Sequence, residues 1–334
     1  MEIAILGAGT WGTALAQVLS DQNHQVCLYA RDEEVAREIN EQHTNHRYFS
    51  HEIILPQSIH ATTSLQEAIE GHDVIVLAVP TAALRELLTT IEPLITKKVI
   101  LVNTAKGFDP TSKSRISDLI REIIPEEKRE AIVSLIGPGH AEEVILRQLT
   151  LVTATSLSLK AAHKIQHLFS NSYFRVYTNS DEIAAEYGVA LKNAIAIASG
   201  VLEGLGYGDN ARAALVTRGL HEMVRFGRHF GGNGKTYLGL TGLGDLMVTC
   251  NSHHSRNFMA GVQIAKDGTA EHFMNSKHAT TEGIKTVEIV YEIAQQEGIY
   301  MPIVGAIYEV LYQHRSPKEV ITQLMINPLK KEED

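Results

Sequence analysis

Ile3-Ala4-Ile5-Leu6-Gly7-Ala8-Gly9-Thr10-Trp11-Gly12 stands at the start of the chain. A short apolar run leads directly into G-x-G-x-x-G, and the helically spaced stretch Trp11–Ser20 follows. The glycine pattern alone is a weak signal. Set between a first strand and a first helix, it has the context by which a βαβ unit binds a dinucleotide. Its glycines let the backbone turn tightly and approach a pyrophosphate, and the helix start supplies unpaired N–H groups and positive potential. Gly7, Gly9 and Gly12 are therefore cofactor-binding candidates, with a ligand-free glycine turn as the plain alternative.

Outward from this stretch the same rhythm continues. Gln25–Ala30 reads as a second strand and Glu33–Asn40 as a second helix. Val74–Val79 and Val99–Val102 are dense β-branched runs of the kind buried on both faces of a parallel sheet. Ala131–Ile136 and Leu149–Ala154 extend the series, and Tyr173–Tyr177 closes it. Strands alternating with helices predict a parallel sheet of βαβ units. From Asp181 onward the strand signals fade. Asp181–Gly204 is almost wholly apolar and predicts a buried helix; Asn210–Gly231, Thr281–Glu297 and Ile303–Tyr312 predict further helices. The expected fold is an α/β Rossmann-like dinucleotide-binding domain over 1–179 followed by an all-α substrate domain over 180–334.

Composition narrows the function classes. The 334 residues carry 30 Lys+Arg against 39 Asp+Glu, a net charge of −9. This disfavours a nucleic-acid partner and requires any site for an anionic substrate to be locally positive. The two cysteines, Cys27 and Cys250, build neither a disulfide framework nor a zinc site, so a reducing compartment is expected. No basic n-region precedes the first apolar run, and no stretch of about 18 apolar residues predicts membrane insertion. The expected localisation is cytoplasmic.

Several residues carry chemistry. The second strand ends in Arg31-Asp32. An acidic residue there grips a ribose 2′-hydroxyl, whereas an arginine accommodates a 2′-phosphate, so Arg31 favours NADP(H) without excluding NAD(H). Asn103-Thr104-Ala105-Lys106-Gly107-Phe108 follows a strand, placing Lys106 where open α/β sheets bind ligands. Gly137-Pro138-Gly139-His140-Ala141 lies similarly, and its glycines permit close approach. Lys192 sits mid-helix among apolar residues, sharing a face with Val189 and Ala196. Burial would lower its pKa toward values useful for proton transfer. Asp245, between Gly244 and Leu246, could pair with such a lysine. Ser255-Arg256-Asn257 offers hydroxyl, guanidinium and amide donors in succession, and arginine suits a phosphate; a polar loop ending in a helix cap is the alternative. Other signals are rejected. Gly234-Lys235-Thr236 lacks the upstream glycine and strand of a P-loop. His253-His254 lacks metal-ligand spacing, so no metal is expected, and Cys250 lacks a partner histidine at an interpretable spacing.

Gly7–Gly12, Asn103–Phe108, Glu186–Asn193, Gly208–Leu215, Thr241–Cys250 and Ser255–Asn257 together resemble the bacterial NAD(P)-dependent glycerol-3-phosphate dehydrogenases over nearly the whole chain. The resemblance implies reversible reduction of dihydroxyacetone phosphate to sn-glycerol 3-phosphate, feeding glycerophospholipid synthesis, by a homodimer. It implies that Lys192 is the catalytic proton donor and acceptor, that Lys106 is shared by cofactor and substrate, and that Asp245 is the carboxylate beside the catalytic lysine. Substrate contacts implied are Lys106, Gly137, Gly139, Lys192, Asn193, Asp245, Ser255, Arg256 and Asn257. Cofactor contacts implied, besides the glycines, are Thr10, Trp11, Arg31, Lys106, Ala141, Arg256, Thr280 and Glu282. Departures stand at Gly139-His140, where the family usually has Ser or Thr and then a bulky apolar residue, and at Thr280, more often apolar. His140 and a water are the two candidates to replace the donor missing at 139.

Two other functions fit parts of the pattern. A related dehydrogenase for a β-hydroxyacid or sugar acid would present a carboxylate rather than a phosphate to the site. A non-catalytic nicotinamide-binding sensor would keep Gly7–Gly12 without needing Lys192, Asp245 and Arg256 together.

Overall fold

The computed structural model describes residues 2–275, 281–326, 328 and 331. Its first half runs β1 (Glu2–Leu6), α1 (Thr10–Ser20), β2 (Gln25–Tyr29), α2 (Glu33–Gln42), β3 (Ile59–Thr62), α3 (Leu65–Ile69), β4 (Val74–Leu77) and α4 (Thr81–Ile91). It continues with β5 (Val99–Asn103), α5 (Ile116–Ile123), β6 (Arg129–Ile136), α6 (Ala141–Ile145), β7 (Thr150–Thr155), α7 (Leu159–Phe169) and β8 (Phe174–Asn179). The eight strands form one sheet in the order β3-β2-β1-β4-β5-β6-β7-β8. β4 and β5 are buried along their whole length, which is why their sequences are continuous apolar runs rather than alternating ones. The strand order reverses between β1 and β4, and in such sheets ligands sit beyond the carboxyl ends of the strands at that point. The glycine turn follows β1 there.

The sheet departs from the expected all-parallel form at one place. β7 runs antiparallel to β6, and β8 returns parallel to β7. The physical reason lies in the connection. A parallel return needs a helix that carries the chain back along the strand, but α6 has five residues, roughly 8 Å of helix. The eight residues of β6 span roughly 26 Å. β3 is a strand that no local pattern predicts: its four residues read Ile-His-Ala-Thr, without a β-branched run.

The second half is helical among the described residues: α8 (Glu182–Gly204), α9 (Asp209–His229), α10 (Asp245–Cys250), α11 (Arg256–Asp267), α12 (Glu271–Met274), α13 (Glu282–Glu297), α14 (Pro302–Tyr312) and α15 (Pro317–Met325). α8 is the axis of this part. Nearly every residue from Glu182 to Leu202 is buried, so its apolar character extends all round. Asp181 caps it by accepting from the Ala184 N–H at 3.1 Å. α11 lies close against α8: a Cβ on Gly261 would come within 2.0 Å of the Ile197 carbonyl oxygen. That contact fixes the first turn of α11 relative to Lys192 and Asn193. No described helix is long and apolar enough to cross a membrane.

Candidate active site

The glycine turn has the form its sequence requires. Gly7 adopts φ +123°, and its N–H donates to the Tyr29 carbonyl at 3.1 Å. A Cβ on Gly12 would fall 1.9 Å from the Gly7 carbonyl oxygen, so only glycine lets α1 start directly over the turn. At Gly9 a Cβ would meet nothing within 4 Å, and no side chain caps α1. The start of this 11-residue helix is thus left without a side-chain cap and with room beside Gly9, the kind of cradle that a pyrophosphate fits. Thr10 and Trp11 form its first turn. Ala141 is buried at the start of α6, which is tied to α1 by Gln17 Nε2 donating to the Ile145 carbonyl at 2.9 Å. Arg31 lies exposed beyond β2. Thr280 lies outside the described residues.

Lys192, Asp245 and Lys106, far apart in sequence, meet on the floor of a cleft of about 160 Å3. Nζ of Lys192 donates to Asp245 Oδ1 at 2.8 Å and to Thr249 Oγ1 at 2.7 Å. Nζ of Lys106 lies 2.9 Å from Asp245 Oδ2 and donates to the Gly137 carbonyl at 2.6 Å. Lys192 is 5% exposed and Asp245 1%, so this is a buried carboxylate shared by two ammonium groups. Burial pushes Lys192 down to about 8, against the pull of Asp245 and with repulsion from Lys106. Burial favours the neutral form of Asp245, but the two ammonium groups outweigh it and hold the carboxyl below its ordinary value. Thr249 was not singled out in the sequence. Its position four residues after Asp245 on α10 is the signal that could have found it.

The cleft is completed by Gly139, His140, Asn193, Ser255, Arg256 and Glu282. Ser255 caps α11 by accepting from the Phe258 N–H at 3.2 Å, so the helix-cap reading and the site reading hold at once. Asn257 Nδ2 donates to Asn193 Oδ1 at 3.0 Å, and Asn193 Nδ2 donates to the Lys106 carbonyl at 3.4 Å. Asn257 Oδ1 accepts from the Gly283 N–H at 3.0 Å. This chain of amides links α8, α11 and α13 to the loop bearing Lys106. Glu282, the first residue of α13, is pushed up by burial, with Arg256 and a hydrogen bond from the Thr81 backbone acting against that. Burial and the two lysines keep His140 below its ordinary value, against the nearby Glu143. With Lys106, Lys192 and Arg256 facing Asp245 and Glu282, the cleft is locally positive in a chain of net charge −9.

Gly139 joins the two regions. A Cβ there would meet the Trp11 ring at 3.1 Å, so the cofactor turn packs directly against the loop lining the cleft. Gly7–Gly12 and Arg31 otherwise stand apart from the cleft, along the carboxyl ends of β1 and β2. Among the described residues no group of three His, Cys, Asp or Glu side chains could hold a metal ion.

A Rossmann-type sheet with an uncapped glycine turn, joined to a helical half that brings a buried lysine to the strand ends, defines a nicotinamide-dependent oxidoreductase. Profiles for the N-terminus and the C-terminus of NAD-dependent glycerol-3-phosphate dehydrogenase match residues 2–162 and 181–322. The chain belongs to this family. It is 48% identical to glycerol-3-phosphate dehydrogenase [NAD(P)+] of Bacillus pumilus over 324 residues, 97% of this chain and 94% of that protein. It is 47% identical to the protein of the same name from Streptococcus uberis over 333 residues, 100% of this chain and 98% of that one. The crystal structure of glycerol-3-phosphate dehydrogenase from Coxiella burnetii superposes with a TM-score of 0.88 at 33% identity, covering 98% of this chain and 99% of that one.

Proposed function

We propose that this chain catalyses the reversible NAD(P)(H)-dependent interconversion of dihydroxyacetone phosphate and sn-glycerol 3-phosphate. The observation that carries the reading is the buried Lys192–Asp245–Lys106 arrangement at the floor of a positive cleft. In this reading residues 1–179 bind the dinucleotide and 180–334 bind and orient the substrate; the sheet ends at Asn179 and α8 begins at Glu182. Gly7, Gly9 and Gly12 accept the pyrophosphate at the start of α1, with Thr10, Trp11, Ala141 and Glu282 lining the cofactor path and Arg31 at its 2′ end. Arg256, with Ser255, Asn257 and the N–H groups opening α11, takes the substrate phosphate.

Held by the glycine turn, a nicotinamide would supply the hydride chemistry needed at C2 of the substrate. Lys192 donates its Nζ proton to the C2 oxygen during reduction and takes it back during oxidation. Asp245 holds that ammonium in place through Oδ1. Lys106, anchored by Asp245 and the Gly137 carbonyl, adds a second cation beside the developing oxyanion. Asn193 holds the Lys106 loop and Asn257 in register. The reading extends to a cytoplasmic homodimer supplying glycerophospholipid synthesis, as in the family it resembles. The direct test adds dihydroxyacetone phosphate to purified protein and NADPH. The expected result is stoichiometric NADPH oxidation with formation of sn-glycerol 3-phosphate; no oxidation with this ketone would refute it.

A further inference from the structure

Glu186 is a buried carboxyl that the reaction above does not use. It stands on α8 one turn after Glu182, is 5% exposed, and faces the sheet. Its Oε1 accepts from Ser134 Oγ on β6 at 2.6 Å. Its Oε2 accepts from Ser117 Oγ, at the start of α5, at 2.7 Å and from the Ser117 N–H at 3.4 Å, and Arg115 Nη1 lies 3.5 Å away. Glu182 has the closer cation, Arg121 Nη2 at 2.7 Å. The short contacts of Glu186 are thus to hydroxyl groups.

From Ser134 the bonds run on toward the cleft. Ser134 lies opposite Asn103 in the register of β6 and β5, and its Oγ accepts from Asn103 Nδ2 at 3.5 Å. Asn103, 1% exposed, turns its Oδ1 to the Ala105 N–H at 2.9 Å, and Lys106 is the next residue. Two residues beyond Ser134, on the same face of β6, Ile136 packs with Ala185 and Val189 of α8. Gly137 follows, and its carbonyl accepts from Lys106 Nζ. Glu186 therefore reaches both strand ends that hold Lys106. A carboxylate can only accept. It makes Ser134 a donor toward α8, which leaves the Ser134 oxygen to accept from Asn103 Nδ2 and points the Asn103 carbonyl oxygen at Ala105. One buried charge sets the direction of every bond in the series, and buried polar groups cannot be reversed without losing a partner.

We propose that Glu186 is a positioning residue for the reaction: through Ser134 and Asn103 it fixes the Lys106 loop so that Lys106 Nζ stays on Asp245 beside Lys192. This rests on the function proposed above and adds to it a residue outside the cleft. Glu186→Gln keeps the size of the side chain but not its two acceptors. With Oε1 turned to the Ser117 N–H and Arg115, Nε2 donates to Ser134, and the series toward Ala105 runs backward.

The test compares wild-type protein with Glu186→Gln and Ser134→Ala above about pH 7, where Glu186 is ionised. In Glu186→Gln, kcat for reduction of dihydroxyacetone phosphate is expected to fall at least roughly tenfold, the scale of one lost hydrogen-bonded contact, while the KM for NADPH stays within about twofold. Ser134→Ala cuts the series without changing a charge and is expected to give a similar fall. The double variant should be no worse than either single one, because both act on one series. Amide hydrogen exchange gives a readout without turnover. The Ala105 N–H should exchange at least roughly tenfold faster in Glu186→Gln, and that of Leu101, inside β5, should not. Either kcat or Ala105 exchange at the wild-type level overturns the proposal, as does Leu101 exchange that rises equally, since that marks a general loosening of the sheet. A wild type inert toward dihydroxyacetone phosphate overturns the function proposed above, whereas an active wild type with an equally active Glu186→Gln overturns only this positioning role.

Discussion

Nζ of Lys192 lies 2.8 Å from Oδ1 of Asp245, and both groups are almost closed to solvent. A lone ammonium at that depth would be expelled or neutralised. The carboxylate keeps it in place, and burial still leaves its pKa near 8, where it can both give and take a proton near neutrality.

Lys192→Ala removes that proton donor without touching the glycine turn. We expect kcat to fall roughly a thousandfold, within the span usual for a positioned acid or base. NADPH binding, followed by fluorescence titration, should stay close to wild type. Substantial turnover in this variant would show that another group protonates the C2 oxygen.

The pH dependence follows from the same lysine. Reduction needs Lys192 protonated, so kcat for reduction should fall as pH rises through about 8. Oxidation needs the free amine, so its kcat should rise over the same window. Asp245 pulls the lysine upward, so Asp245→Asn should move both limbs toward lower pH. Profiles measured in both directions check this, and parallel rather than opposed limbs would contradict it.

Arg31→Asp places a carboxylate at the end of β2 where a 2′-phosphate would approach. The ratio of kcat/KM for NADPH over NADH should drop by roughly tenfold or more, since one guanidinium contact is lost and one repulsion added. Paired steady-state measurements on the two cofactors read it directly; an unchanged ratio removes Arg31 from the 2′ end.

Two buried carboxyls outside the cleft make stability depend on pH. Burial pushes Glu186 and Glu222 up to about 7. Glu182 adds to this at Glu186, and Arg115 opposes it there; at Glu222 the Ile303 and Val304 N–H groups oppose it. Because the folded state binds these protons more tightly than the unfolded chain, their contribution is complete below about pH 4.5 and is lost as pH rises through about 7. The melting temperature should therefore drop by a few degrees between about pH 5 and pH 8. Glu222→Gln, which cannot ionise, should flatten part of that slope in a calorimetric series.

Gly139→Ser restores a hydroxyl at the cleft, but its Cβ must push the Trp11 ring aside from 3.1 Å. We expect weaker NADPH binding, by several-fold, with Trp11 fluorescence shifted in the free protein; Trp11 is the only tryptophan, so the signal is unambiguous. Unaltered emission together with unaltered NADPH affinity would mean that the ring gives way freely.

The chain's local patterns determined much of this protein. The apolar run into Gly7–Gly12, the β-branched strands and the all-round apolar helix holding Lys192 each follow from side-chain size, polarity and backbone freedom within a few residues. So the sheet, the helical half and the candidates Lys106, Lys192, Asp245 and Arg256 were legible in it. Tertiary structure alone decided which groups touch. The reversal of β7 turned on the shortness of α6 against β6, a matter of reach rather than propensity. The sharing of one carboxylate by two lysines, the Thr249 hydroxyl on Lys192 and the Asn257 amide on Asn193 join residues dozens of positions apart. Those contacts depend on distance, burial and the low dielectric that makes each polar group need a partner, and no stretch of sequence carries that information by itself.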